Sequence, residues 1–338
     1  MASPEDEVSP EWCHWAAVSL LSGMPLAEVI STMADQGVPE PAAARVCAAA
    51  FRDPMFEAGR TIAQQHRKLV SVLAMRSTML DLAENGRVIE RRSGVSRKEF
   101  LDDYYARNQP LVLEDVCDTW PAVAQWTPEY LAEVIGSAEI EVMSDRDADD
   151  DYEINADAHK QHMPFDDYVA RVLAAQSTND LYLVANNHLL ESDVAAPLWR
   201  DIALDERYLD RGEAVSRTYL WFGAGGTITK LHHDLMNVMF HQVAGWKQFT
   251  LISPLDTPHL YNNSSVYSDV DPKSPDYIRF PAYANAHPIH VTVGPGEALF
   301  VPVGWWHHVE ALEMSISVST TSFAFPNSIE WFHPERLG

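Results

Sequence analysis

The stretch LHHDLMNVMFHQVAGWK, Leu231 to Lys247, gathers three histidines, one aspartate and one lysine in otherwise apolar sequence. In an extended strand, residues two apart share a face. His232 and Asp234 therefore project together, His233 points the other way, and His241 has the parity of a packing or surface residue. An imidazole beside a carboxylate is half of a facial metal site. The third ligand must come from elsewhere, and PVGWWHHVEAL (Pro302 to Leu312) offers His307 and His308. Strand parity does not choose between them. Two histidines and a carboxylate, with three positions left open, form the donor set of a non-haem Fe(II) oxygenase, although zinc also accepts it.

Lys247 follows the glycine turn of VAGWK, on the next strand. Turned inward in a small barrel it needs an anion, which a dicarboxylate cosubstrate would provide; turned outward it is a surface lysine. Trp305 and Trp306 read as wall and core, or one of them lines a substrate entrance. His259, His287, His290 and His333 have no partner at ligand spacing and read as structural or exposed. The run GAGG at 223–226 lacks the lysine and following helix of a phosphate-binding loop. No serine or cysteine nucleophile with a partnered histidine is evident.

The elements that must position these residues change in texture near residue 86. Residues 9 to 86 read as helices, opened by Ser9-Pro10-Glu11 and stopped at Gly23 and Gly37, with a long segment from Pro54 to about Glu84. This gives a helical module over 1–86 and a second domain over 87–338. In the second, Ser96 and Glu99 form a capping box, and Thr127-Pro128-Glu129 opens a helix that stops at Gly136. QPLVLEDV, AEIEVM, NDLYLVANN and SRTYLWFG are strand candidates. Beyond Gly223 the chain reads as strands and turns nearly to its end, implying an antiparallel barrel or sandwich.

TKLHHD, QVAGWK and GPGEALFVPVGWWHHVE together resemble the JmjC-type cupins, the cupin-like hydroxylases of the Fe(II)/2-oxoglutarate dioxygenase superfamily. The resemblance covers about residues 90 to 325, with QPLVLEDVCDTWPA and WTPEYLAEVIG upstream. It implies a mostly β fold with a double-stranded β-helix (jelly-roll) core and flanking helices. It implies His232, Asp234 and His307 as iron ligands, His307 being chosen over His308 by the motif. It implies Lys247 as partner of the distal carboxylate of 2-oxoglutarate, with Thr229 and Tyr182 supporting the same carboxylate and Ser319 near the metal-side one. Dioxygen is the co-reactant, and the implied outcome is hydroxylation of an unactivated carbon, or N-methyl demethylation by the same oxidant. One departure stands out. Many relatives carry an asparagine six residues after the first ligand, and here that position is Val238. Either a bulge turns Asn237 inward, or Asn186, Asn187 or Ser319 takes its place.

Charge narrows the partners. Against 24 Lys+Arg stand 49 Asp+Glu, a formal net charge of −25, which repels nucleic acid and anionic membranes and attracts basic partners. Part of it lies in SDRDADDDYE (Ser144 to Glu153), which reads as a solvated loop able to receive a basic peptide. A peptide or protein side chain is the expected substrate. A small molecule, a tRNA base or a non-catalytic binding role are the other readings. Three cysteines, Cys13, Cys47 and Cys117, suit a reducing compartment. With no secretory signal at the start and no apolar run long enough to span a bilayer, a cytoplasmic location is expected. The long helix from Pro54 favours a homodimer.

Overall fold

The structure, a computed structural model, describes residues 8–185 and 187–327; Asn186 and His333 lie outside them. The chain divides into two compact units, residues 1–79 and 80–338.

The first unit is helical. α1 (Pro10–Ser22) begins where the Ser9 hydroxyl accepts the Trp12 N–H and ends at Gly23, whose φ of 100° is the left-handed value glycine tolerates. α2 (Leu26–Asp35) and α3 (Glu40–Ala50) pack with α1 around Ala16, Val29, Met33, Ala43 and Cys47. α4 starts at Pro54 and runs to Asp81, stopping short of the Glu84 expected from the sequence.

The second unit is built on two sheets. The larger, among the described residues, has the order β1 (Glu90–Arg92), β2 (Leu111–Leu113), β11 (Ala298–Val301), β8 (Val238–Ala244), β13 (Ser315–Thr320), β6 (Thr218–Gly223), β5 (Tyr182–Leu183), β3 (Glu139–Met143) and β4 (Lys160–Pro164). The smaller runs β10 (Ile289–Val293), β9 (Lys247–Ile252), β12 (Trp306–Ala311), β7 (Ile228–His233). All pairings but β1–β2 are antiparallel. Helices expected from caps flank the sheets: Thr127 accepts the Tyr130 N–H at 3.1 Å to open Pro128–Ile135, and Ser96 accepts from the Glu99 N–H at 3.1 Å.

Between the sheets, one half of the space is filled. Phe240, Phe249, Leu251, Val291, Leu299 and Val301 are among the apolar side chains that interlock there, a dry core of the kind two packed inner faces make. Trp305 belongs to this core and donates its indole N–H to Asn108; Trp306 packs on the outer face of the small sheet and donates to Thr257. Both are structural, and neither lines the cavity that occupies the other half.

Ser144–Glu153 exposes Asp145, Asp147, Asp150 and Asp151 to solvent, as its composition suggested, but it is pinned by a buried arginine. Arg146 within it is 1% exposed, reaching Asn179, the Ile228 carbonyl at 2.6 Å and Glu153 at 3.2 Å, with its guanidinium over the Tyr152 ring. One arginine with several acceptors anchors an otherwise acidic segment against β7.

Candidate metal centre and its cavity

Where β7 and β12 pair, His232 lies opposite His307. The two imidazole centroids are 4.1 Å apart with planes inclined by 52°. Each ring spends Nδ1 on the carbonyl oxygen two residues back, His232 on Lys230 at 2.7 Å and His307 on Trp305 at 3.0 Å. A carbonyl only accepts, so Nδ1 carries the proton and Nε2 keeps its lone pair for a ligand role. Burial, reinforced by the His307 imidazole and opposed by Asp234, lowers the His232 pKa. That favours the neutral ring a metal requires.

Asp234 completes the cluster, its Oδ2 3.5 Å from His307 Nε2. One potential ligand atom from each of His232, Asp234 and His307 lies within 4.8 Å of the others. The route by which Asp234 arrives corrects the strand-parity argument. β7 ends at His233, and Asp234 sits in the turn that follows. Its carbonyl accepts the Gly304 N–H at 3.1 Å, which ties that turn to the corner leading into β12. His308 points to the opposite side of β12, His233 packs edge-on against Trp306, and His241 is buried in a stack on Trp120.

The cluster opens into a cavity of about 420 Å³ that also receives Lys247, Tyr182, Thr229 and Ser319. Lys247 is 1% exposed, and its Nζ donates to the Tyr182 hydroxyl at 2.8 Å. Rings of Phe240, Tyr182 and Trp221 surround the ammonium at 5.1, 5.5 and 5.8 Å. No carboxylate faces it among the described residues, and burial alone pulls its pKa down to about 7. Burial also raises the Tyr182 pKa, so its hydroxyl stays protonated.

Thr229 stands three residues before His232, and alternation alone would put the two on opposite faces. The register between β7 and β12 shifts there: His232 pairs with His307 but Thr229 pairs with Val309. This bulge carries one extra residue on β7 and turns both side chains into the cavity. On β12 and β9 no such shift occurs, so His307, Val309 and Ala311 lie opposite Leu251, Phe249 and Lys247.

Val238 lines the cavity, and no bulge brings Asn237 inward. Asn237 is instead buried in a polar knot. Its amide donates to Asn327 Oδ1 at 2.9 Å, its Oδ1 accepts the Val303 N–H at 2.9 Å, and its carbonyl accepts from Asn327 at 3.0 Å. Asn187 spends its amide N–H groups on the Val184 and Leu220 carbonyls. Among the described residues Ser319 has a free donor: its Oγ accepts the Trp221 indole N–H at 2.8 Å, leaving its own proton for a guest.

Sequence reasoning missed Trp221 and Gly223. Gly223 pairs with Tyr182 across β5 and β6, and a side chain there would meet the Tyr182 ring at 2.7 Å. A glycine opposite a strand tyrosine was the available signal.

Comparison with known proteins fits this geometry. The Cupin-like domain family matches residues 96–321. Lysine-specific demethylase 8 of Xenopus tropicalis is 32% identical over 232 residues, covering 66% of this chain and 50% of that protein. The tRNA wybutosine-synthesizing protein 5 of Gallus gallus is 28% identical over 239 residues, covering 67% of this chain and 74% of that protein. The human bifunctional peptidase and (3S)-lysyl hydroxylase JMJD7 is 26% identical over 258 residues, covering 65% and 79%. The chain spans about half the length of the demethylases it matches. With two facing sheets and a His-Asp-His cluster at one end of the space between them, the chain belongs to the cupin-like family of JmjC type.

Proposed function

We propose that this protein is an Fe(II)- and 2-oxoglutarate-dependent dioxygenase that hydroxylates an unactivated carbon in a peptide or protein side chain. The observation that carries this reading is the buried, acid-free Lys247 in the same cavity as His232, Asp234 and His307. A buried cation is costly unless paired, and a dicarboxylate that also reached the metal would supply the missing charge.

The roles follow from position. His232, Asp234 and His307 would hold the ion, with Nε2 presented because both Nδ1 atoms are engaged. Bound there with 2-oxoglutarate and dioxygen, iron would supply an oxidant strong enough for a carbon–hydrogen bond that no acid–base pair could break. Lys247 would meet the distal carboxylate, with the Tyr182 hydroxyl holding the ammonium in place and Thr229 adding a donor from β7. Val238 has no hydrogen bond to offer the metal-side carboxylate, so the Ser319 hydroxyl, oriented by Trp221, takes that role. Phe240, Phe249, Val301 and Val309 form the apolar part of the cavity wall.

The test is succinate formation from 2-oxoglutarate without added substrate. It should need Fe(II) and vanish in His232→Ala. Absence of Fe(II)-dependent turnover in the wild type would leave a binding protein. Mass spectrometry of peptides, metabolites and tRNA for a gain of one oxygen then separates the substrate classes, and oxygen gain by a metabolite or tRNA alone would overturn the peptide assignment.

A further inference from the structure

A second concavity of about 480 Å³ lies against the outer face of the small sheet, where Ile228, Lys230 and His308 project away from the metal cluster. It meets the metal-site cavity at the rim of β7, an edge strand, and Glu153 and Tyr267 line both spaces. The Tyr267 ring stands 5.8 Å from the His232 imidazole. The bulge in β7 makes this two-sided arrangement, turning Thr229 and His232 inward while Ile228 and Lys230 go outward.

The chemistry of the groove is acidic. Asp150, Asp151 and Glu153 line it from one loop, and Asp269 and Asp271 from another. Its two cations lie over rings: Lys230 Nζ is 4.8 Å from the Tyr152 centroid, and the Arg279 guanidinium 4.9 Å from that of Phe280. His308 adds an independent sign of a guest. It is 5% exposed, faces the groove and makes no hydrogen bond among the described residues. Its ring nitrogens stay open to the groove with no protein partner among those residues, so a guest lying there can take them.

We infer that this groove binds a lysine or arginine side chain of an extended polypeptide whose neighbouring residue enters the metal-site cavity. Successive side chains of an extended chain point to opposite sides about 3.3 Å apart, so one chain crossing the β7 rim fills both spaces. The basic residue then lies within about three positions of the oxidised one. A carboxylate-lined site gives both attraction and register to a cationic residue. The inference rests on the dioxygenase reading for the meaning of the neighbouring cavity, but the binding itself needs neither metal nor cosubstrate.

The experiment is fluorescence anisotropy of a labelled lysine–alanine decapeptide with the full chain, against the same peptide with acetylated lysines. Acetylation should weaken binding about tenfold or more. Asp269→Asn with Asp271→Asn should do the same, as should Asp150→Asn with Asp151→Asn; the amides keep the turn acceptors, so the fold is retained. Asp166→Asn with Asp167→Asn removes equal charge from an exposed helix start elsewhere and should change nothing. Wild-type affinity in both groove variants, or an equal loss in the Asp166/Asp167 control, would overturn the inference. So would spermidine competing as well as the peptide, since the occupant would then be a small cation. Both groove variants should retain substrate-free succinate formation, so a failed groove and a failed dioxygenase reading give different results.

Discussion

Replacing Lys247 by methionine should stabilise the protein and abolish its hold on 2-oxoglutarate together. The ammonium is buried without a carboxylate, and its pKa falls from 10.5 to about 7. In the unfolded chain the lysine keeps its ordinary value. Between about pH 7 and pH 10 the unfolded state therefore binds more protons than the folded one, and stability rises with pH through that window. At pH 7 and below, nearly the whole cost of burying the charge is present. At about 1.4 kcal/mol per pH unit between the two values, this amounts to a few kcal/mol. Methionine fills similar space without the charge, so Lys247→Met should melt several degrees above wild type at pH 7, with the difference closing toward pH 10. Binding has the opposite sign. Below pH 7 the wild-type lysine is already charged and affinity is flat; above it, each pH unit costs up to about tenfold because the lysine must first take a proton. Losing the ammonium outright costs about 2–5 kcal/mol of binding. Calorimetric titration of 2-oxoglutarate into Mn(II)-loaded protein from pH 6 to 9 measures both effects, and Lys247→Arg, charged throughout, should flatten the pH slope. A wild-type affinity that is level from pH 7 to 9, or near-normal binding by Lys247→Met, would refute the reasoning.

Other perturbations separate the parts of the site. Gly223→Ala should push the Tyr182 ring off Lys247 and raise the KM for 2-oxoglutarate while leaving metal affinity intact, since the glycine touches Tyr182 and not the ligands; an unchanged KM would show that Tyr182 does not position the ammonium. His307→Ala should abolish tight Fe(II) or Mn(II) binding in a metal titration, whereas His241→Ala should keep it and lower the melting temperature by leaving a cavity beside Trp120. Asn237→Ala should cost about 2–4 kcal/mol by breaking a buried network, measured by denaturant unfolding with metal affinity unchanged. Val238→Asn should tighten 2-oxoglutarate binding by about threefold to tenfold if the new amide reaches the metal-side carboxylate, and a weaker complex would mean the position serves packing alone.

The fold was legible where local chemistry decides it. Ser9, Ser96 and Thr127 cap helices because a hydroxyl beside unpaired N–H groups needs no distant partner. The closeness of His232 and Asp234 was also readable, whereas the choice of His307 over His308 came from the family resemblance and not from the strand pattern. What escaped depends on residues far along the chain. The burial of Arg146 is settled by Asn179 and Ile228, acceptors that lie far along the chain, while most of the acids around it stay exposed as read. Asp234 is held by Gly304 in a turn, so pleat parity paired it with His232 for the wrong reason. Asn237 faces its buried knot only because Asn327 and Val303 come to it.

The bulge in β7 is the point at which these strands of argument join. A regular strand would place Thr229 outside, and its hydroxyl would be lost to the cavity. One extra residue opposite His308 restores Thr229 to the inner face without moving His232 from its register with His307. The same residue leaves Lys230 and Ile228 on the outer face, beside His308, so the edge of the sheet acquires two chemically different sides within a few residues. One side holds the His232–Asp234–His307 cluster and the buried Lys247, and the other is lined by carboxylates. A flat polar edge would invite indiscriminate pairing, but here the Ser264–Ser268 segment covers the end of β7 through the His233 and Ser268 N–H groups. That cover leaves the rim near Glu153 and Tyr267 as the place where both spaces meet. A guest that spans them must carry unlike groups close together on one chain, a demand that a polypeptide meets.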